Sequence, residues 1–466
     1  MMKLRILHFN DVHSRFEELA RVASAVEDLR DENTVVLDAG DNADFARVET
    51  EGTCGVISSA ILNEMGVDAK GFGNNEGFAG RENSRTIVGS SWCPVVTCNV
   101  YDLQSDRKLG FLDDAVILER SGVRILVVGV TAGGWLNVFY ELFGMYVKDP
   151  EEEIRRVLAD YEGFDYDLLV VLSHLGLEKD KEIASHFRGV NVIVGGHSHS
   201  LLKKPFVENN VIICQAGQFG EYLGELVVDF DVEKRKAVHF DGRLIPAKDY
   251  SPHPKIVKLI ERHSKLADRN LSRKLYSISV SLDHSLTEEN AIGNLLADAL
   301  KDLLKTEIGI INSGVFNGGI GKGAVTRKLL HQLCPSPLNP TYMEVKGVDL
   351  QAALEKSLRK GFQVSDGRGP GSRTRYLGNI QVSRNVQVKV NSGVKKSITV
   401  EGQALEPEKW YSVGTSDFLQ RGTGYSELAN NRHERYRVEF LRDVLQTYLR
   451  KKSFLNKAFQ KRFIAE

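Results

Sequence analysis

"VNVIVGGHSHS" (residues 190–200) is the stretch whose reading decides the fold. Val190 to Val194 form a nearly unbroken β-branched run with little polar alternation, the pattern of a strand covered on both faces. Gly195 and Gly196 end the run, and His197 and His199 follow at i, i+2 inside the glycine turn. Two imidazoles so spaced are hard to explain as core packing. In layered α/β folds, the turns beyond the carboxyl ends of such strands are where ligands bind.

The first half of the chain repeats this grammar. "KLRILHF" (3–9), "NTVVLDA" (33–39), "CPVVTCNV" (93–100), "VRILVVGV" (123–130), "DLLVVLS" (167–173) and "NVIICQAG" (210–217) read as further buried strands. Residues 16–30 and 150–161 carry the apolar spacing of amphipathic helices. Strands alternating with helices predict an α/β layered domain. Residues 222–247 read as an antiparallel finish with a charged turn near 233–236. Around Pro252 the pattern changes to a polar, strongly charged helix (252–275) that joins two units. The second unit opens with a helical segment at 285–304, for which Ser285 or Thr287 is the expected N-cap. A Gly-rich basic loop is expected at 366–375 and a charged helix near 433–452. The expected division is 1–250, a linker helix at 251–275, and 276–466.

Length and charge agree with two soluble domains. The chain has 466 residues, too many for one ordinary core. Lys plus Arg number 61 against 62 for Asp plus Glu, which argues against a dedicated nucleic-acid or membrane-surface binder. Five cysteines without a CxxC spacing form neither a disulfide framework nor a structural zinc pattern, so buried free thiols are expected. No signal peptide and no apolar run of transmembrane length is read, which predicts a cytoplasmic protein, monomeric or homodimeric, with a small-molecule partner.

Five short motifs lie at or just after expected strand ends: Asp11-Val12-His13, Gly40-Asp41, Gly73-Asn74, Ser173-His174, and Gly195 to His199. Singly most of them are weak, because Gly-Asp fits any turn and Ser-His is nearly uninformative. Jointly they place imidazoles, two carboxylates and a carboxamide at one edge. That donor set, without thiolate, suits Mn²⁺, Zn²⁺ or Fe rather than Ca²⁺ or a soft metal. Asp41 could bridge two ions, and a pair of divalent ions clamps an in-line displacement and supplies hydroxide at neutral pH.

"LHFNDVHS", "LDAGDN", "GNNE", "VVTCNV", "LSHLG" and "VGGHSHS" together resemble the calcineurin-like metallophosphoesterases of the 5′-nucleotidase/UDP-sugar hydrolase family. "NAIGNLLADAL", "GIINSGVFNGGI", "GAVT" and "FLQRGTGY" resemble that family's C-terminal domain. The resemblance implies a four-layer α/β metallophosphoesterase sandwich, a mobile linker helix, and a second, smaller α/β nucleotide-binding domain, with the active site between the two. It assigns one metal to Asp11, His13, Asp41 and His199. The other falls to Asp41, Asn74, His174 and His197, and Asn99 is placed near the site. Phe418 takes the place of a base-stacking aromatic, Tyr376 that of its second face, and Asn312 and Arg375 fall among the substrate contacts.

The sequence also departs from the family. Where relatives have GNHE and, further on, an aspartate, this chain has Asn75 and Phe78, so both members of a catalytic histidine–aspartate dyad are replaced. Asn75 still offers a hydrogen bond to a phosphoryl oxygen but no proton. Arg81 and Arg85 lie just downstream as electrostatic substitutes. In the second unit the family's arginine is lost from Asn312-Ser313-Gly314-Val315-Phe316, and Thr423 replaces a ribose-binding aspartate. Arg368, Arg373 and Arg375 are the arginines available to recover phosphate contacts. The resulting expectation is a dinuclear metal-dependent phosphohydrolase acting on nucleotides or related esters and anhydrides by metal-hydroxide attack on phosphorus, with Mn or Zn as cofactor. The rivals are a nucleotide-binding pseudoenzyme and a phosphodiesterase for cyclic or dinucleotide substrates.

Overall fold

The computed structural model describes residues 2–231, 236–369, 371–391 and 394–465. The chain divides into two compact units, Met1–Ala267 and Asp268–Glu466, and helix Pro254–Leu271 carries the boundary.

The first unit contains fourteen strands among its described residues: β1 (Met2–Phe9), β2 (Thr34–Asp38), β3 (Ala69–Gly71), β4 (Val95–Val96), β5 (Val100–Asp102), β6 (Ala115–Arg120), β7 (Val123–Thr131), β8 (Met145–Val147), β9 (Leu168–His174), β10 (Val192–Gly195), β11 (Phe206–Glu208), β12 (Val211–Cys214), β13 (Tyr222–Asp231) and β14 (Lys236–Pro246). One six-stranded sheet runs β14-β13-β1-β2-β3-β4, parallel from β1 to β4. The other runs β11-β12-β10-β9-β7-β6, parallel through its four central strands. Strands β5 and β8 pair apart from both.

Alternate residues of these strands face each other between the sheets. Leu4, Ile6, Val35 and Leu37 of the first sheet pack with Val127, Val170, Leu172 and Val194 of the second. Their neighbours face outward and are covered by helices. Leu7, Phe9 and Val36 meet helix Phe16–Leu29 through Leu19, Val22 and Val26. Val128, Val171 and Ile193 meet helices Pro150–Asp160 and Leu177–His186 through Ile154, Val157 and Ile183. The result is the expected four-layer sandwich. Burying both faces of both sheets is why these strands read as unbroken apolar runs.

Several expectations need correction. The 93–100 run splits into β4 and β5, because the Asn99 side chain is drawn into bonds with the Thr131 main chain. The charged turn near 233–236 falls largely outside the described residues. The antiparallel pair β13–β14 that flanks it is present.

The second unit is a smaller α/β domain. Its five-stranded sheet orders Ile380–Val382, Ile308–Asn312, Trp410–Ser416, Pro340–Lys346 and Asn431–Tyr436, and helix Ala291–Leu304 packs against it through Leu295, Leu296 and Leu300. Asn290, not Ser285 or Thr287, caps that helix, accepting from Gly293 N at 3.0 Å. Ser285 instead accepts from Thr287 N and Glu288 N in a local turn. The helix expected at 433–452 begins only at Leu441. Residues 431–436 form an edge strand, where their charged side chains project outward and Arg432 pairs with Glu344 at 2.9 Å. The 366–375 stretch is the loop expected, as far as it is described.

Candidate metal centre

All five motifs sit at the carboxyl edges of parallel strands, three on one sheet and two on the other. The turns after β1 and β2 are bonded to each other: Asp11 N donates to Gly40 O, His13 N to Asp41 O and Ser14 N to Asn42 O. This lacing holds Asp11, His13 and Asp41 in left-handed backbone, with φ of 50°, 47° and 59°; His197 and His199 lie there too, at 72° and 54°. Non-glycine residues adopt that region rarely and at a cost, and such strain concentrates at functional sites. Two glycines allow the turns to close. A Cβ on Gly73 would fall 2.1 Å from Asp41 Oδ1, and one on Gly196 would fall 2.9 Å from His174 Nδ1.

The side chains converge into two overlapping groups. Asp11, His13 and His199 form one; Asp11, Asp41 and His174 form the other. His13 Nε2 lies 3.1 Å from His199 Nε2, and Asp11 Oδ1 lies 3.3 Å from His199 Nε2. Asp41 turns Oδ1 to within 3.3 Å of His174 Nε2 and Oδ2 to within 3.9 Å of His13 Nε2. Asn74 Oδ1 lies 2.8 Å from His197 Nδ1. Donors about 2.1 Å from one cation stand roughly 3.0–3.4 Å from each other, the range of the shorter of these separations. All seven expected ligand residues are therefore brought together. Asp11 adds a departure from the expected division, because it borders both groups: its Oδ1 is also 3.9 Å from His174 Nε2.

The donor atoms are oriented from behind. Asp11 Oδ2 accepts from the Asn10 side chain at 2.6 Å and from His197 N at 2.9 Å, while Oδ1, fully buried, makes no hydrogen bond among the described residues. His174 Nδ1 donates to Ala39 O at 2.7 Å, which turns Nε2 toward the Asp41 and Asp11 carboxylates; that nitrogen holds a proton in the metal-free protein and offers a lone pair to a cation on giving the proton up. An orphaned buried acceptor such as Asp11 Oδ1 is costly unless something fills the space beside it. Electrostatics points the same way. Burial works against charge on His174, yet the Asp41 and Asp11 carboxylates hold its pKa up at about 10. Burial would raise Asp41 and Asp11, but the surrounding imidazoles hold both below the carboxylate range. His197 is lowered to about 4 by burial and by His174. Charge on His174 offsets one of the two buried carboxylates, so the centre keeps negative charge that a cation would balance, and its residues fit divalent metal ions.

Two residues that sequence reasoning gave no role support the centre. Glu76, fully buried, accepts four backbone N–H bonds at 2.8–3.1 Å, from Asp41, Asn42, Ala43 and Gly73. The last letter of the GNNE motif was the available signal. Phe219 packs edge-on against His13 at 5.7 Å, and its N–H donates to Asp11 O at 2.7 Å; nothing in its local sequence marks it.

The remaining site residues lie elsewhere or are engaged. Asn99 spends both ends of its amide on main-chain or neighbouring groups of Thr131, Lys148 and Thr97. Asn75 donates its backbone N–H to Asp41 Oδ1 at 2.8 Å. Phe78 packs against Phe139 and Tyr140 at 5.5 and 5.0 Å. Arg81 is ion-paired to Asp102, and Arg85 lies over the Phe111 ring. In the second unit, Phe418 is 1% exposed and belongs to the hydrophobic core, so its ring offers no open stacking face. Tyr376 is half-buried, with Arg375 over its ring at 5.1 Å. Asn312 donates to Leu377 O at 2.7 Å and keeps its Oδ1 buried without a hydrogen bond among the described residues. Arg368 pairs with Asp366 at 2.7 Å.

This sandwich, with histidines and aspartates converging at its strand ends, defines a metal-dependent phosphoesterase. Residues 4–201 match the calcineurin-like phosphoesterase family model, and residues 270–430 match that of the 5′-nucleotidase C-terminal domain. The chain belongs to the 5′-nucleotidase family of metallophosphoesterases that joins these two domains. It is 28% identical over 457 residues to the metallophosphoesterase YunD of Bacillus subtilis, covering 95% of this chain and 98% of that protein. An apyrase of Tabanus yao is 25% identical over 504 residues, covering 93% and 88%. Among solved structures, the NAD nucleotidase of Haemophilus influenzae shares the fold with a TM-score of 0.69 at 18% identity, covering 100% of this chain and 99% of that one. No helix among the described residues is long and apolar enough to cross a membrane.

Proposed function

We propose that this chain hydrolyses phosphate esters and anhydrides of nucleotides or related compounds with two divalent cations, Mn²⁺ or Zn²⁺. The carrying observation is the Asp41 carboxylate, which directs one oxygen to each of the two donor groups. Asp11, His13, His199 and Asp41 would hold one cation; Asp41, Asn74, His174 and His197 would hold the other. When bound, such a pair polarises a phosphoryl oxygen and makes a strong nucleophile of water at neutral pH.

What this chain's own residues do then follows. Glu76 and Asn10 keep the two carboxylates aimed. His174 keeps its proton on Nδ1 through Ala39 O and presents a lone pair. Position 75 holds an amide, which has no proton to give, and Phe78 is packed among aromatics where the family's aspartate would stand. General acid catalysis is typically worth about 10²–10⁴-fold. Leaving groups that depart as stable anions forgo that help, so phosphoanhydrides, nucleotide-sugars and aryl phosphates are the preferred substrates, and AMP, whose leaving group is an alkoxide, is a poor one.

The test is turnover of aryl phosphate, UDP-sugar and AMP by Mn²⁺-loaded protein, with Asp41→Asn as control and metal content measured on both. Asp41→Asn should lower occupancy at both sites and abolish turnover. Equal rates on AMP and aryl phosphate would refute the substrate preference. Protein that takes up no Mn²⁺ or Zn²⁺ would refute the metal reading, and protein that takes up metal but turns over none of the three would be a binding protein instead.

A further inference from the structure

The Asn75 carboxamide lies 2.8 Å from His13 Nδ1, with its nitrogen end toward the ring, nearer than the Asp44 carboxylate at 3.8 Å from the same nitrogen. The opposite ring nitrogen, Nε2, faces His199 Nε2 at 3.1 Å and the carboxylates of Asp11 and Asp41 at 3.8 and 3.9 Å. A neutral imidazole carries one proton, and the partner of one nitrogen decides where it sits. If the amide nitrogen donates to Nδ1, the proton is on Nε2, pointing into the donor cluster and closing it to a cation. If the amide turns end for end, its oxygen accepts from Nδ1–H, and Nε2 presents a lone pair. The two orientations fill the same space. Turning it gives up the 3.3 Å bond from Asn74 Nδ2 to Asn75 Oδ1 and sets the two amide nitrogens against each other, a cost the His13 bond and a bound cation must offset. His174 already has the second arrangement, with Nδ1 donating to Ala39 O.

We propose that Asn75 is a positioning residue: in the loaded protein its carboxamide oxygen accepts the Nδ1–H of His13 and fixes the tautomer with which His13 holds a cation. This rests on the metal reading above. In this chain the residue standing in the family's catalytic histidine position thus acts through a ligand rather than on the substrate. Its backbone N–H, bonded to Asp41 Oδ1, ties the same residue to the second donor group. Partners of this kind behind a ligating histidine are typically worth 10–100-fold in metal affinity.

The experiment is Zn²⁺ affinity by chelator competition for wild type, Asn75→Asp and Asn75→Leu, each checked for folding by circular dichroism, with the His13 tautomer read from ¹⁵N–¹H correlations in Zn²⁺-loaded wild type. Aspartate keeps an acceptor at Nδ1 and should hold Zn²⁺ within about 3-fold of wild type. Leucine should lose 10–100-fold at one of the two sites. The ring proton of His13 should sit on Nδ1. Wild-type affinity in Asn75→Leu would overturn the proposal while leaving the metal centre intact; a ring proton on Nε2 in the loaded protein would overturn it and remove His13 from the ligands. Wild type that binds no Zn²⁺ would overturn both. If Asn75→Leu does not fold, Asn75→Ala, which also removes the acceptor, takes its place with the same expected loss.

Discussion

Glu76→Gln should uncouple the metal centre from its scaffold. Each oxygen of Glu76 accepts two backbone N–H groups, Oε1 from Asn42 and Ala43 and Oε2 from Asp41 and Gly73. Glutamine keeps one oxygen and so two of the four bonds, now without the charge. Its NH₂ must face the other two N–H groups, which have no other acceptor in the turn. Hydrogen bonds to a charged group are worth about 1.5–3 kcal/mol each, and a buried unsatisfied donor costs comparably. Losing two therefore costs roughly 3–6 kcal/mol. In a unit of this size each kcal/mol moves the melting point by about 2–4 °C, so a fall on the order of 10 °C is expected. The local effect is sharper, because the freed N–H groups belong to the turn that holds Asp41 at φ 59°. The assay is thermal unfolding of metal-free protein by circular dichroism, beside Zn²⁺ affinity at a temperature where the variant is folded. Melting within about 2 °C of wild type together with unchanged Zn²⁺ affinity would refute the claim that Glu76 builds the site.

His8 lies between the sheets on the face of Leu4 and Ile6, opposite Gly224, and burial lowers its pKa to about 4. The unfolded chain therefore binds the extra proton first, so stability falls as pH drops from about 6.5 to about 4, by up to about 3 kcal/mol, and His8→Leu should flatten that slope in urea midpoints measured across the window. Thiol labelling of native protein should modify Cys54 fast and Cys93 slowly, while Cys98, Cys214 and Cys334, buried and pushed up in pKa, stay silent until unfolding; fast labelling of any of those three would contradict their burial. Asn290→Ala should cost about 1 kcal/mol through the lost cap of helix Ala291–Leu304, whereas Thr287→Ala should be near neutral by denaturant titration.

The layered fold was legible because burial on both faces forces unbroken apolar runs; β1, β2, β7, β9 and β10 each stand within about two residues of such a run, and β12 within about three. Legibility failed where a side chain overrides the pattern. Asn99 cuts one run in two by bonding Thr131, and the charges of "NRHERY" suit an exposed edge strand as well as a helix face. Cys54, expected to be buried with the other thiols, is exposed in left-handed backbone after helix Val48–Gly52. The metal-centre residues were legible as types at strand ends. Their division was less so, because Asp11 bordering both donor groups depends on how far the turn after β1 leans across, which no spacing encodes. In the second unit, an aromatic beside a Gly-rich turn reads the same whether it faces a ligand or the core, and Phe418 faces the core.

The exchange at positions 75 and 78 is best understood through packing as well as chemistry. Phe78 joins Phe139 and Tyr140 in an aromatic cluster, and Gly77 lets Tyr140 approach so closely that a Cβ there would fall 2.2 Å from its ring. A carboxylate at 78 would be surrounded by rings and unpaired, which is costly. A histidine at 75 without it would have no partner to orient its ring and would displace the amide now seated on His13. The two positions are thus coupled: with rings around 78 and no imidazole at 75, each makes the family's residue at the other unfavourable. The ligand residues beside them are untouched because their constraint has a different source: the left-handed turns, Glu76 and Asn10 hold them whether or not position 75 carries a proton. A scaffold organised in this way keeps its donor cluster whichever residue stands at position 75.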